Sequence, residues 1–371
     1  MHRFSMAHVS TERGAAVVEL CRQMDPLPTG ANMGFLYATD HYADELDLLV
    51  TELRGRTGIP HWVGTVGIGL TAGDEEYFDG PAMAVLVGAF PEHAFRVFAT
   101  DTQGLASVTR MHGAWYGSGG RHLVITHGDP HNPHTPQIVR ALAEEIPGGF
   151  LVGGVTSSRG RCVQVADSVV QGALSGVMFD ERVAVYTGLT QGCTPIGPFR
   201  RITRCKRNVI QTLDNQPAME VLRSDIGELL ARNLANITGY IFVGLSVPGS
   251  DTGDYTVRNL LPIDPRRGWI AIGDWLPPGR SLLFCRRDAN NACDNLEKML
   301  QSLLRRLPRP PQAALYFSCL GRGQRMFGKS GVEQSILRQH LGDIPLIGFY
   351  ANGEISHNEL YGYTGVLAVF L

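Results

Sequence analysis

One pattern recurs three times along the chain and limits what it can fold into. A strand-like run, GFLYAT at 34–39, precedes an amphipathic stretch, DHYADELDLLVTELRGRTG. In that stretch Leu46, Leu49, Val50 and Leu53 have the spacing of one helix face. HWVGTVGIG and the apolar run PAMAVLVGAF follow. The order returns as LVITHG (123–128), PQIVRALAEEI, FLVGGVTSSRG and VVQGALSGVMF. It returns again as ALYFSCLGRG (314–323), GVEQSILRQHLG, IPLIGFYANGE and YGYTGVLAVFL. Leu36, Leu123 and Leu315 precede Gly64, Gly153 and Gly348 by similar distances. The pattern predicts three copies of a strand–helix–strand–glycine loop–strand unit. That is an α/β (mixed α+β) fold of mixed β-sheets flanked by helices. Glycine, at 44 of 371 residues against an ordinary share of about 7%, fits many tight strand-end loops.

The segment from about 240 to 288 departs from the pattern. IFVGLSV, YTVRNLL, GWIAIGD and SLLFCRRD read as β-hairpin material with proline-rich turns. The stretch 217–235 reads as a linking helix. The chain is therefore expected to form two domains, 1–215 and 216–371, both of ordinary size.

Composition narrows the function classes. A net charge of −2 gives no electrostatic footprint for nucleic acid and no acidic tail. Only three of the 33 basic residues are lysine: Lys206, Lys298 and Lys329. The longest apolar runs fall short of the roughly 18–20 residues that span a bilayer, and the N-terminus has no apolar signal region. Seven cysteines, an odd number without a CxxC pair, point to free thiols in a reducing, cytoplasmic setting.

Four motifs invite chemistry. GQRMFGKS, Gly323 to Ser330, fits the Walker A pattern, with Lys329 to neutralise phosphate and Ser330 to hold magnesium. No strand ending in an acidic metal ligand follows it, so the nucleotide reading is weak. THGDPHNPH gathers His127, His131 and His134 with Asp129, but two prolines make it a loop, and an exposed loop is the better reading than a metal site. Cys193 and Cys319 each end an apolar run beside glycine, where backbone N–H groups lower a thiol pKa; no base is paired with either. FRRITRCKR (199–207) reads as a solvated edge strand. Arg258, Asn259, Arg287, Asp288, Arg322 and Glu354 sit where apolar runs meet glycine. There they either converge on a ligand, arginines on a carboxylate and Glu354 on an amine, or form a structural ion-pair network.

VRNLLPID, CRRD, ALYFSCLGRG, LGDIPLIGFYANGEIS and YGYTGVLAVF resemble, in order and spacing, the C-terminal domain of the FIST family. VGTVGIG, GPAMAVLVGAFP, FLVGGVTSS, TQGCTPIGP and PAMEVL resemble its N-terminal companion. The resemblance implies a cytoplasmic, non-enzymatic sensor of a small ligand, an amino acid or similar metabolite. Such a sensor reports to a partner such as a histidine kinase or a cyclic-dinucleotide enzyme. It also implies that the GRG…FG glycines belong to the family's own loop rather than to a nucleotide site. The family transfers motif positions, not roles; the expected ligand-binding set is Arg258, Asn259, Arg287, Asp288, Cys193, Cys319, Arg322 and Glu354. Some members are haem-binding nitric-oxide sensors, and His61, before WVGTVGIG, is the best-placed axial ligand for that alternative. A cysteine- or phosphate-loop-dependent enzyme is the third reading. Where the family more often has a cysteine and serines, this chain reads GTVGIG, so its ligand preference differs. Fewer than 30 residues precede the domain, leaving no room for an F-box. Charge reversal at Arg322 is expected to abolish ligand-induced stabilisation without unfolding the protein.

Overall fold

The computed structural model describes residues 3–11, 13–227, 237, 239–247, 255–264, 267–274, 276 and 279–371. They form a mixed α/β fold in two compact units. The larger comprises Met1–Thr190 and Asn295–Leu371, the smaller Gln191–Asp294. Residues 215 and 216, where the sequence places its domain boundary, fall within the smaller unit.

The three expected copies are present in the larger unit. In each, two parallel strands are joined by a helix: β2 (Met33–Thr39) with β3 (His61–Gly67), β8 (His122–Gly128) with β9 (Gly149–Val155), and β22 (Ala313–Cys319) with β23 (Leu346–Ala351). An antiparallel strand flanks the first member of each pair: β6 (Met83–Gly88), β12 (Leu174–Asp180) and β26 (Thr364–Phe370). Beyond these lie β1 (Phe4–Val9), β7 (Phe95–Ala99) and β13 (Val185–Gln191).

Each sheet is completed by a hairpin from another copy. The chain after β3 forms β4 (Gly69–Ala72) and β5 (Glu75–Phe78), which pair onto β23. The chain after β9 forms β10 (Gln164–Ala166) and β11 (Ser168–Val170), which pair onto β3. The chain after β23 forms β24 (Glu354–Ser356) and β25 (Glu359–Tyr361), which pair onto β9. The exchange closes a cycle and satisfies the N–H and C=O groups that each parallel pair leaves open at its edge.

The recurring glycines have a steric cause. Gly64, Gly153 and Gly348 stand directly opposite Leu36, Thr126 and Tyr316 on the paired strand. A Cβ there would lie 1.8, 1.8 and 1.6 Å from those residues' carbonyl oxygens.

One face of each sheet meets a shared core that includes Phe35, Tyr37, Ile125, Phe179, Phe317 and Phe349. Helices cover the other faces. Leu46, Leu49, Val50 and Leu53 of the helix Leu46–Thr57 are buried on the first sheet as their spacing predicts. Ile138, Val139 and Leu142 serve the second, and Leu296, Leu300, Leu303 and Leu337 the third.

In the smaller unit β18 (Ile241–Ser246), β19 (Tyr255–Asp264), β20 (Trp269–Ile272) and β21 (Ser281–Arg287) are the expected antiparallel strands. They pack on the helix Ala218–Ile226; the remainder of the expected 217–235 helix, from 228 on, lies outside the described residues. The basic run is β15 (Arg200–Lys206), and it is not an edge: it lies between β21 and β16 (Val209–Leu213). Its Arg200 pairs with Asp225 at 2.5 Å and Asp214 at 3.5 Å. Among the described residues no helix is long and apolar enough to cross a membrane.

Candidate functional site

The third copy gathers polar side chains at the end of β22. Tyr316 and Ser318 alternate on one face of that strand and point at Glu333, on the first turn of the helix Val332–Leu341. Tyr316 Oη donates to Glu333 Oε1 at 2.5 Å and Ser318 Oγ to Oε2 at 2.9 Å. The chain then turns so that Arg322 faces the same carboxylate. Its Nε and Nη2 donate to Oε1 at 2.9 and 2.7 Å, and Nη1 reaches the Tyr363 carbonyl at 3.4 Å. Arg322 and Glu333 are both fully buried. The guanidinium is thus held in an internal ion pair, and the carboxylate beside it raises its pKa above the ordinary value against the opposing effect of burial.

Cys319 and Glu354 stand next to this pair. Glu354 accepts from the Thr364 backbone N–H at 3.1 Å and from its hydroxyl at 2.7 Å, both through Oε2. Oε1 has no N–H or O–H donor. Burial pushes this carboxyl up to about 8 from an ordinary 4.5, outweighing the Thr364 bonds, the Cys319 thiol beside it and the Arg322 charge. The Gly321 N–H does approach Cys319 Sγ, at 3.4 Å, as the glycine-flanked motif leads one to expect. Burial and the neighbouring Glu354 nevertheless push the thiol up rather than down, so it is held protonated.

A second buried titratable group lies in the shared core. His127 is fully buried, with Nε2 3.1 Å from Tyr37 Oη and Nδ1 without a hydrogen-bond partner. Burial lowers its pKa to about 3 from 6.5. The two groups act on stability in opposite directions. Between pH 4.5 and 8 the folded chain holds a proton on Glu354 that the unfolded chain has released, so this contribution falls as pH rises. Between 6.5 and 3 the unfolded chain binds a proton that folded His127 refuses, so that contribution falls as pH drops. Urea unfolding across pH 4 to 9 is expected to show Glu354→Gln flattening the alkaline flank and His127→Gln the acid one. If neither flank changes slope, the two buried groups do not govern it.

The other expected site residues lie in the smaller unit. Arg258 is paired with Asp274 at 2.8 Å and also donates to the Val257 carbonyl. Asn259 is on β19 opposite Phe242. Arg287 is opposite Cys193 where β14 (Cys193–Pro195) meets β21. Asp288 accepts the Asn291 N–H at 3.0 Å and so caps the helix Ala289–Arg306. Cys193 is buried and hydrogen-bonded to Cys285, whose thiol is pushed well above its ordinary range by that bond and by burial. Of the expected residues, then, Cys319, Arg322 and Glu354 come together in the larger unit.

The remaining motifs resolve on local geometry. The Walker-like GQRMFGKS is interrupted by a helical turn, Gln324–Phe327. Its Met326 and Phe327 N–H groups are spent on the Gly323 carbonyl and that of Gly328 on Gln324, while Lys329 and Ser330 face solvent. Three of the motif's N–H groups are thereby turned inward, away from where a phosphate-binding loop needs them. His61 is 40% exposed, its Nδ1 2.9 Å from Asp167 and its ring edge-on to Phe95. A half-exposed, carboxylate-held ring with one aromatic neighbour does not fit the apolar enclosure of a haem. The three histidines of THGDPHNPH do not converge: His127 is in the core, His131 and His134 are exposed.

Sequence reasoning overlooked Glu333, Tyr316 and Ser318. The signal was present, since two polar residues two apart in the apolar run ALYFSC must share a face. What that face meets is not written in the run.

Residues 32–216 match a family model described as the FIST N domain, and residues 218–357 one described as the FIST C domain. Similar proteins include "Uncharacterized protein Rv0628c" of Mycobacterium tuberculosis (strain ATCC 25618 / H37Rv), 34% identical over 325 residues, 83% of each chain. "Uncharacterized protein Mb0898c" of Mycobacterium bovis (strain ATCC BAA-935 / AF2122/97) is 30% identical over 348 residues, 90% of this chain and 88% of that one.

Proposed function

The chain belongs to the FIST family, a family of sensory small-ligand-binding domains, and from that premise we propose that it is a cytoplasmic sensor of a small amine-bearing metabolite such as an amino acid. The ligand is read at Glu354 and Cys319, beside the Arg322–Glu333 pair, and the signal passes to a partner such as a histidine kinase or a cyclic-dinucleotide enzyme. One observation carries the reading. Glu354 is a fully buried carboxyl whose Oε1 takes no N–H or O–H donor and whose remaining polar neighbour is the weakly donating Cys319 thiol. A ligand ammonium supplies that donor, the carboxyl proton leaves to solvent, and a charge-assisted bond takes its place. Arg322, already committed to Glu333, positions the neighbouring strand end instead of gripping an anion.

A thermal-shift screen with amino acids, and with their N-acetyl counterparts lacking the amine, tests this. A stabilising amino acid at 100 times its Kd contributes about 2.7 kcal/mol. The N-acetyl form and the Glu354→Gln variant are expected to show no stabilisation. Equal stabilisation of wild type and Glu354→Gln removes the site.

A further inference from the structure

We propose that the larger unit carries a binding site for a divalent transition cation of the zinc class, formed by Asp129, His131 and Cys162. One ligand atom from each lies within 4.8 Å of the other two. His131 Nδ1 is 3.5 Å from Asp129 Oδ1. Two ligands bound at about 2.0 Å in a tetrahedral zinc site stand about 3.3 Å apart, so this pair is already near its working separation. A sulfur, an imidazole nitrogen and a carboxylate oxygen form a donor set for zinc or its neighbours; calcium and magnesium take oxygen throughout.

The supports are built in. Asp129 is buried, and its two oxygens accept the His131 and Gly172 backbone N–H groups at 2.8 and 2.7 Å. Those bonds fix the carboxylate while leaving it lone pairs for a cation. Cys162 is also buried, and its carbonyl accepts the Gln171 side-chain amide at 3.3 Å. His131 is exposed, which leaves the third ligand free to swing in and one side of the site open to solvent.

A second buried carboxylate acts on the same thiol. Asp40, with a side chain only 6% exposed, acts electrostatically on Cys162 as Asp129 does, and its Oδ1 has no hydrogen-bond partner. The nearest cations to that oxygen, Arg159 Nη1 and the His41 ring, are 3.8 and 3.7 Å away. Arg159 and His41 already answer Asp40 at salt-bridge distance, and a cation held by Asp129, His131 and Cys162 adds to them. On binding, the sulfur–metal bond replaces the S–H bond and the proton leaves to solvent.

The placement has a consequence for the fold. Asp129 and His131 follow β8 of the second copy, whereas Cys162 leads into the β10–β11 hairpin that completes the first copy's sheet. The cation ties one copy to the hairpin it lends to another.

Metal-free full-length protein titrated with cobalt(II) provides the test. A thiolate-to-cobalt charge-transfer absorption that saturates at one equivalent and is displaced by zinc is expected. Cys162→Ser is expected to abolish that absorption. His131→Ala, a change on an exposed side chain that leaves the fold alone, is expected to weaken cobalt binding by more than roughly tenfold. A wild-type cobalt spectrum without the thiolate band overturns the proposal. So does a band that persists unchanged in both variants, which would assign the metal to another cysteine.

Discussion

Alanine at Gly348 is expected to keep the larger unit from folding. The added Cβ would sit 1.6 Å from the Tyr316 carbonyl oxygen, and that oxygen belongs to the directly paired strand. No rotamer relieves a clash between a Cβ and backbone. Relief requires β22 and β23 to separate, which breaks a parallel ladder buried on both faces. Overpacking by a methylene ordinarily costs about 1–3 kcal/mol where side chains yield; here nothing yields and the cost exceeds that range. Gly64→Ala and Gly153→Ala meet the Leu36 and Thr126 carbonyls in the same way, and Gly153 has in addition a φ of +150°. Gly55→Ala is the contrast. It lies in the helix Leu46–Thr57 with nothing within 4 Å of the new Cβ, and should stabilise by about 0.5–1 kcal/mol. Circular dichroism and urea unfolding of the four variants check this. A folded Gly348→Ala with near wild-type stability would contradict the steric reading of the repeat.

Arg322→Met is expected to cost about 3–5 kcal/mol, because it strands the Glu333 carboxylate in the interior. For a unit of this size that lowers Tm by roughly 10 °C. Arg322→Met combined with Glu333→Leu should recover most of the loss, since neither charge then remains to be solvated. Tyr316 and Ser318 would each lose an acceptor, which keeps the recovery incomplete. If the single variant unfolds at the wild-type temperature, Glu333 is satisfied without the guanidinium. The same geometry corrects the expectation from sequence that charge reversal at Arg322 leaves the fold intact. A glutamate there would place two carboxylates against each other in the interior, and a binding test on that variant would report unfolding.

Much of the scaffold is legible in the residues. The helix Leu46–Thr57 announces its buried face through Leu46, Leu49, Val50 and Leu53, because 3.6 residues per turn put them in one stripe. The three glycines opposite Leu36, Thr126 and Tyr316 mark the repeat, because close strand approach excludes a Cβ at each. The candidate site was legible only in part. Cys319, Arg322 and Glu354 follow apolar runs, and strand ends do converge. Arg258, Asn259, Arg287, Asp288 and Cys193 follow such runs equally well, yet the chain folds them into a separate unit. Local pattern reports that a residue ends a strand, not which strands are neighbours.

By itself the sequence determines the three strand–helix–strand copies, the helix faces and the positions that must be glycine. Each of these follows from local backbone geometry and from which side of an element is apolar. Tertiary structure decides the rest: that each copy gives a hairpin to another, that Arg322 is answered by Glu333, and that Cys162 comes to lie beside Asp129 and His131. Those pairings depend on how open sheet edges and buried charges are satisfied across the closed cycle. That demand exists only once all three sheets are in place, and no spacing along the chain encodes it.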